Sequence, residues 1–451
     1  MRRAAAIAGA LLALMLAVIG GLLVRGIAEP VEAVPAAAVA ANGPTAVAAN
    51  GPTAVAANGP TAVAADGPAV VARGRYLALA GNCRACHTER GGLAYAGGRA
   101  IETPFGRMYG SNLTPDPTHG LGAWSADDFW RALHHGKSRD GRLLYPAFPY
   151  PSFTRMPRAD ADALFAYLRT LEPAATPNRA HELRFPYNQP GLLALWRGLH
   201  FRAGTYRRQA DRDAEWNRGA YLVQGPGHCN ACHTRRDAMG APVLEADLAG
   251  GLIPVQGWYA PPLNGTPGAG LGDWSTAEIV QLLKTGVSAR GSVAGPMAEV
   301  VAQSLQHLEA RDLQAVATYL KSLPPAPAAP APVHGEEAAR VFAAGAVLYE
   351  RHCKECHGAD GRGMPPAYPP LAGNRSLTQT SPANPIRIVL NGGFAPGTAG
   401  NPRPYGMPPY RPLFSDAEVA AVVSYIRNAW GNQAALVGTT EVDRFRSAPL
   451  E

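Results

Sequence analysis

Cys83-Arg84-Ala85-Cys86-His87, Cys229-Asn230-Ala231-Cys232-His233 and Cys353-Lys354-Glu355-Cys356-His357 are three copies of one pattern, C-x-x-C-H. Together they use all six cysteines of the 451-residue chain. Two thiols one helical turn apart can reach the two vinyl groups of a porphyrin, and the adjacent histidine offers an imidazole to its iron. The pattern therefore describes three covalently bound haem c groups. A zinc ribbon needs paired C-x-x-C units, and three copies leave one unpaired. A redox C-x-x-C or a disulfide framework gives no reason for a histidine after every pair.

Length agrees with the motif count, since domains of roughly 100 to 200 residues predict about three. Fifty Gly and 42 Pro would starve an ordinary core, but a porphyrin is itself a large apolar body on which short helices can pack. The expectation is a mainly α, loop-rich fold of three tandem haem domains. The formal charge of +7 leaves out the haems; about six propionates would cancel most of it, so the balance does not call for nucleic acid.

Met1, Arg2 and Arg3 precede an uncharged run from Ala4 to Val24, closed by Arg25. That run is longer than the ~7 to 15 residues of a signal-peptide core and close to the ~20 that span a bilayer. Residues 1–28 read as an uncleaved signal anchor, with a cleavable signal peptide as the alternative because the Ala-rich stretch after Pro35 offers small residues. Both readings place the haem motifs on the periplasmic side of the inner membrane, with Arg2 and Arg3 inside. Residues 29–69 are mostly Ala, Val, Pro, Gly and Asn, with ANGPTAVA starting at Ala41, Ala49 and Ala57 and decaying at Ala65. They read as a flexible tether holding the haem domains away from the membrane.

Three units follow, 70–172, 214–323 and 336–431. The first two read as duplicates: Arg73-Gly74-x-Tyr76-Leu77 matches Arg218-Gly219-x-Tyr221-Leu222, and Leu121-Gly122-x-Trp124-Ser125 matches Leu271-Gly272-x-Trp274-Ser275. The third keeps chiefly Gly345, Leu348 and Tyr349. Each unit ends in an amphipathic stretch carrying Tyr167-Leu168, Tyr319-Leu320 or Tyr425-Ile426. In the third, Val419, Val422, Val423, Ile426 and Trp430 recur at helical spacing behind a Ser415/Glu418 capping box. A first helix entering each C-x-x-C-H and a last helix packed on it would bracket each haem. Between units, 324–335 is a Pro-rich spacer. Residues 173–213 form a strap with an apolar middle at Leu192, Leu193, Leu195, Trp196, Leu199 and Phe201, either packed across the first two units or open as a docking surface. Residues 432–451 read as a polar tail without a second anchor.

A six-coordinate electron-transfer haem needs a second axial ligand, and a soft Met thioether favours Fe(II). Of eight methionines, Met1 and Met15 belong to the export segment. Met239 and Met364 follow their histidines by six and seven residues, too few to pass round a porphyrin easily. Met108 sits in a Gly/Pro loop. Met156, Met297 and Met407 remain, one per unit, 69, 64 and 50 residues after His87, His233 and His357 and each ahead of its unit's last helix. They are the expected distal ligands, with Met108, Met239 and Met364 as gap-filling residues. His134, His135 and His228 could substitute as second imidazoles, although surface or capping roles suit them better.

Residues 70–431 resemble the triple-haem cytochrome c subunit of bacterial membrane-bound dehydrogenases, the group serving alcohol, gluconate, sorbitol, fructose and aldehyde dehydrogenases. Besides the haem motifs, four strings carry the resemblance: TPFGRMYGSNLTPD (Thr103 to Asp116), YPAFPYPSFTRM (Tyr145 to Met156), GPMAEV (Gly295 to Val300) and MPPY (Met407 to Tyr410). The resemblance implies an electron carrier that takes electrons from a separate catalytic subunit of flavin, quinone or molybdenum type. It passes them to ubiquinone or to a cytochrome or oxidase acceptor, and does no substrate chemistry itself. The repeat-rich tether and the lack of a C-terminal amphipathic anchor depart from the family, so the mode of membrane attachment does not carry over. The competing expectation is a haem peroxidase, which needs an open sixth position on one iron. The Gly268, Gly270, Gly272 cluster lacks G-x-G-x-x-G spacing and reads as a loop.

Overall fold

The computed structural model describes residues 2–28, 67–326 and 335–447. Most of the expected tether, all but the ends of the Pro-rich spacer and the last four residues lie outside that range. The chain is mainly helical. Nine helices organise it: α1 Arg2–Ile27, α2 Pro68–Ala80, α3 Arg158–Leu168, α4 Pro190–His200, α5 Ala214–Gln224, α6 Ala310–Lys321, α7 Glu337–His352, α8 Asp416–Ile426 and α9 Thr439–Arg446. The strands are hairpins or single short pairings of two to four residues.

Three helix pairs repeat one arrangement: α2 on α3, α5 on α6, and α7 on α8. Each pair crosses at a glycine. A Cβ on Gly74 would overlap the Ala163 carbonyl oxygen, one on Gly219 that of Ala315, and one on Gly345 that of Ala421. The backbones meet there with no room for a side chain, which accounts for the one glycine that all three units share. The helix after each L-G-x-W-S string is started by that string's serine. Ser125 and Asp128, and Ser275 and Glu278, form capping boxes like the one between Ser415 and Glu418 ahead of α8.

Around each pair lies a separate apolar cluster. The first includes Leu77, Phe129, Met156 and Leu164; the second Trp216, Leu222, Trp274 and Leu320; the third Tyr349, Ile386, Val423 and Phe445. The third differs from expectation at its end. Residues 434–446, expected within a polar tail, pack on it instead, with Val442 fully buried and Arg446 bonded to Asp416 Oδ1 at 2.6 Å. Val437, Val442 and Phe445 of this segment point into the cluster, so a low mean hydropathy hides a packed helix.

The strap bridges the first two units. Trp196 and Phe201 of the strap join Tyr150 of the first unit and Ala241 of the second in one buried cluster, and Trp196 Nε1 donates to the Met239 carbonyl at 3.0 Å. Its helix α4 also packs against the end of α1. The strap, and not the first unit itself, thus meets the apolar helix directly, while the expected tether at 29–69 lies mostly outside the described residues.

Candidate functional site

In the first unit the two cysteines, the histidine and the expected thioether line one cavity of about 520 Å³, within the ~300 to 1,000 Å³ of cofactor pockets. Leu77, Phe129, Leu133, Phe153 and Leu164 supply apolar wall; Arg142, Asn178 and Arg179 supply donors suited to haem carboxylates.

All three motif histidines are held alike. His87 Nδ1 lies 2.7 Å from the Ser111 carbonyl oxygen, His233 Nδ1 2.7 Å from that of Pro261 and His357 Nδ1 3.1 Å from that of Pro369. Carbonyls only accept, so each Nδ1 carries the proton and Nε2 is left with its lone pair for a metal. Burial lowers the pKa of each imidazole, that of His233 to about 4, which keeps the rings neutral as ligands must be. Burial pushes the Cys83 and Cys229 thiols up to about 12, with the neighbouring cysteine sulfur adding to it. A redox-active C-x-x-C has its thiolate stabilised instead, whereas sulfurs destined for thioether bonds need no charge. These residues fit a covalently attached haem.

Known proteins of similar sequence are cytochromes c. The family model described as cytochrome c matches residues 71–172 and 342–430. Over 377 residues the chain is 39% identical to the cytochrome c subunit of the quinone alcohol dehydrogenase of Gluconacetobacter polyoxogenes, covering 80% of this chain and 81% of that one. It is 38% identical over 378 residues to the gluconate 2-dehydrogenase cytochrome c subunit of Pantoea cypripedii (80% and 86%), and 36% identical over 405 residues to the fructose dehydrogenase cytochrome subunit of Gluconobacter japonicus (83% and 82%). The chain belongs to the family of dehydrogenase cytochrome c subunits. As such a subunit it carries covalently bound haem c, and its chemistry is electron transfer.

The other sequence-chosen residues of this cytochrome c subunit sit as follows. Met156 is 1% exposed on the first cavity, but Met108, expected to be filler, lines the same cavity from the short strand Gly106–Tyr109. Met297 lies half-buried at the start of the helix Pro296–Gln303. Met407 packs on the third cluster, as Cys353 does, its backbone pressed onto Gly392, whose φ of 65° and lack of Cβ allow the approach. Met239 and Met364 are exposed. His134 is buried rather than at the surface; its ring stacks on Trp130, and Thr154 Oγ1 lies 3.4 Å from its Nδ1. His228 belongs to the second unit yet lines the first unit's cavity, donating from Nδ1 to the Pro226 carbonyl at 2.8 Å.

Two features of the cytochrome c subunit escaped the sequence. Arg375, in the third unit, reaches the loop of the second unit that holds His233. Its Nη1 donates to the Pro262 carbonyl at 2.9 Å, next to the carbonyl that accepts from His233, and its guanidinium lies 5.1 Å from the Trp274 ring centre. The second is the seam between the first two units. Gly81 of the first lies beside Pro226 of the second, and Arg99 pairs with Glu299 at 3.3 Å close to Cys86. Neither has a local signal, because each partner is more than a hundred residues away.

Proposed function

We propose that this cytochrome c subunit carries three haem c groups and is not itself an enzyme. It takes electrons from a catalytic dehydrogenase subunit of flavin, quinone or molybdenum type and delivers them to ubiquinone or another respiratory acceptor. It is held at the periplasmic face of the inner membrane by α1, whose Ala10–Ile27 stretch is long and apolar enough to cross a bilayer. Haem iron when bound supplies reversible one-electron chemistry. The observation that carries the proposal is the common setting of His87, His233 and His357, each fixed by a carbonyl so that Nε2 is free as the proximal ligand. Cys83 and Cys86, Cys229 and Cys232, and Cys353 and Cys356 anchor the three porphyrins. Met156, Met297 and Met407 would be the second ligands, and with all three in place no iron would be left open. The relatives named as dehydrogenase subunits support the catalytic partner.

A pyridine haemochrome assay on protein from a host that matures c-type haem should give three haems per chain, and the reduced native protein should bind no carbon monoxide. Two haems or fewer overturn the count. Carbon monoxide binding with peroxide consumption by the unmutated protein overturns the carrier reading in favour of a peroxidase.

A further inference from the structure

The last two turns of α1 are built into the folded body rather than laid beside it. A Cβ on Gly26 would overlap the Ala194 carbonyl oxygen, and one on Gly198 that of Leu22. The contacts fall at residues four apart on both helices, the small-residue crossing by which helices approach closely at membranes. Arg197 locks the crossing. It is 2% exposed, donates from Nε to the Gly26 carbonyl at 2.8 Å and from Nη2 to the His135 carbonyl at 2.7 Å, and lies over the rings of Tyr150 and Phe201. One buried guanidinium thus satisfies an orphan carbonyl at the C-terminal end of α1, where the helix dipole favours a cation, and ties it to the first unit.

The rest of the apolar helix touches little. Leu11, Leu14, Met15, Leu16 and Val18 are more than half exposed. Ahead of the crossing, α1 runs 18 uncharged residues from Ala4 to Gly21, about 27 Å and close to the hydrocarbon thickness of a bilayer. A leader discarded after export would strip Arg197 of its partner and bare the α4 face, so the packing is that of a permanent element.

We propose that the α1–α4 crossing is a seat that holds the first unit on the lipid surface, with α4 lying at the headgroups. This rests on the reading of α1 as a retained anchor. The seat, not the length of residues 29–66, sets how far the first unit stands from the membrane, and it makes the first unit the one nearest the lipid. Leu199 on α4 and Phe185 and Tyr187 just ahead of it are the exposed apolar side chains that would enter the interface.

The test uses full-length, haem-loaded protein in lipid nanodiscs. With all six native cysteines bound to haem, Leu199→Cys gives a single thiol for a spin label, whose relaxation by oxygen and by a water-soluble nickel chelate reports depth. The label should lie at headgroup depth. Adding Gly198→Leu, which wedges the crossing apart, should move it into water while the N-terminus stays intact and alkaline carbonate fails to extract the protein. Arg197→Gln, which removes the lock but not the backbone contact, is the milder second variant and should give a partial shift. A label already in water, or unmoved by both variants, overturns the seat while leaving the anchor standing. A mature N-terminus beyond residue 28 overturns the anchor and the seat together.

Discussion

The Tyr76 hydroxyl donates to Asp312 Oδ2 at 2.6 Å across the seam between the first two units, and Tyr221 makes the mirror-image bond to Asp160. Each carboxylate is also held by an arginine of its own unit, Asp312 by Arg218 and Asp160 by Arg73. The Arg-Gly-x-Tyr string that marks the duplication is therefore one device used twice: arginine pairs within the unit, glycine admits the crossing helix, and tyrosine reaches the other unit. Beside Tyr76, Ala80, Leu308 and Leu313 form a small buried apolar cluster.

Tyr76→Phe should destabilise the pair of units by about 1.5 to 3 kcal/mol, the range for a hydrogen bond to a charged group. Tyr221→Phe should cost a similar amount. Thermal unfolding of the single variants, with Asp312→Asn in a double-mutant cycle, measures the coupling. An interaction energy near zero would mean the hydroxyl is bystander to the apolar contact.

The same cluster sets an acid limit. Burial opposes ionisation of Asp312, but the Arg218 guanidinium and the Tyr76 hydroxyl outweigh it and hold its carboxyl below the usual value. A folded pKa below the unfolded one gives stability that is fully present above about pH 4 and is lost as pH falls through the lowered value. Melting temperature should accordingly fall below pH 4 in the native protein, and Asp312→Asn should be less stable at neutral pH with a flatter acid slope. An equally steep slope in the variant would place the acid sensitivity elsewhere.

Gly345→Ala should force α7 from α8, because the added Cβ meets the Ala421 carbonyl with no flexible neighbour to yield. Overpacking of this kind costs about 1 to 3 kcal/mol. The expected result is incomplete haem loading of the third unit alone, so that haemochrome stoichiometry drops towards two. Val347→Ala, two residues on and 50% exposed, should stay at three.

The sequence carried the elements with local signatures and missed those that depend on distant partners. Spacing named the cysteines, histidines and terminal helices, and a capping box named the start of α8. It also placed Gly74, Gly219 and Gly345 in equivalent positions without revealing the crossing they permit. Arg375 and Arg197 looked like ordinary polar residues, and His228 like a surface or capping residue that could substitute as a second imidazole, since what distinguishes each is a contact with another part of the chain. Residues 434–446 were misread because the inward apolar residues Val437, Val442 and Phe445, set among polar and charged ones, carry too weak a periodicity.

Met156 and Met108 share the first cavity, so substitution must separate ligand from wall. Met156→Ala should yield one haem that binds carbon monoxide and titrates at lower potential, with three haems still attached; Met407→Ala should do the same for the third unit. Met108→Ala should leave the ligand set intact and cost only packing. Carbon monoxide binding by the Met108 variant but not the Met156 variant would reverse the assignment in the first unit.

On the proposed reading, Arg375 would set a charge of the third unit beside the haem of the second. It lies by the loop that fixes His233, its positive charge helps to lower the pKa of that imidazole, and desolvation alone pushes its own pKa down, to about 10, still leaving it cationic at neutral pH. A fixed cation near an iron favours Fe(II) over Fe(III). With an effective dielectric near ~20, a cation on the order of 10 Å from an iron bound there would interact with it by about 1.7 kcal/mol, roughly 70 mV for one electron. Arg375→Met should therefore lower one of the three potentials by about that amount and leave the others in place. Arg375→Lys should restore most of the shift, because it returns the charge though not the Pro262 bond. A purely structural role would give a different outcome, with Lys and Met behaving alike and melting temperature, not potential, recording the change. Three unchanged potentials in the Met variant would sink the electrostatic role.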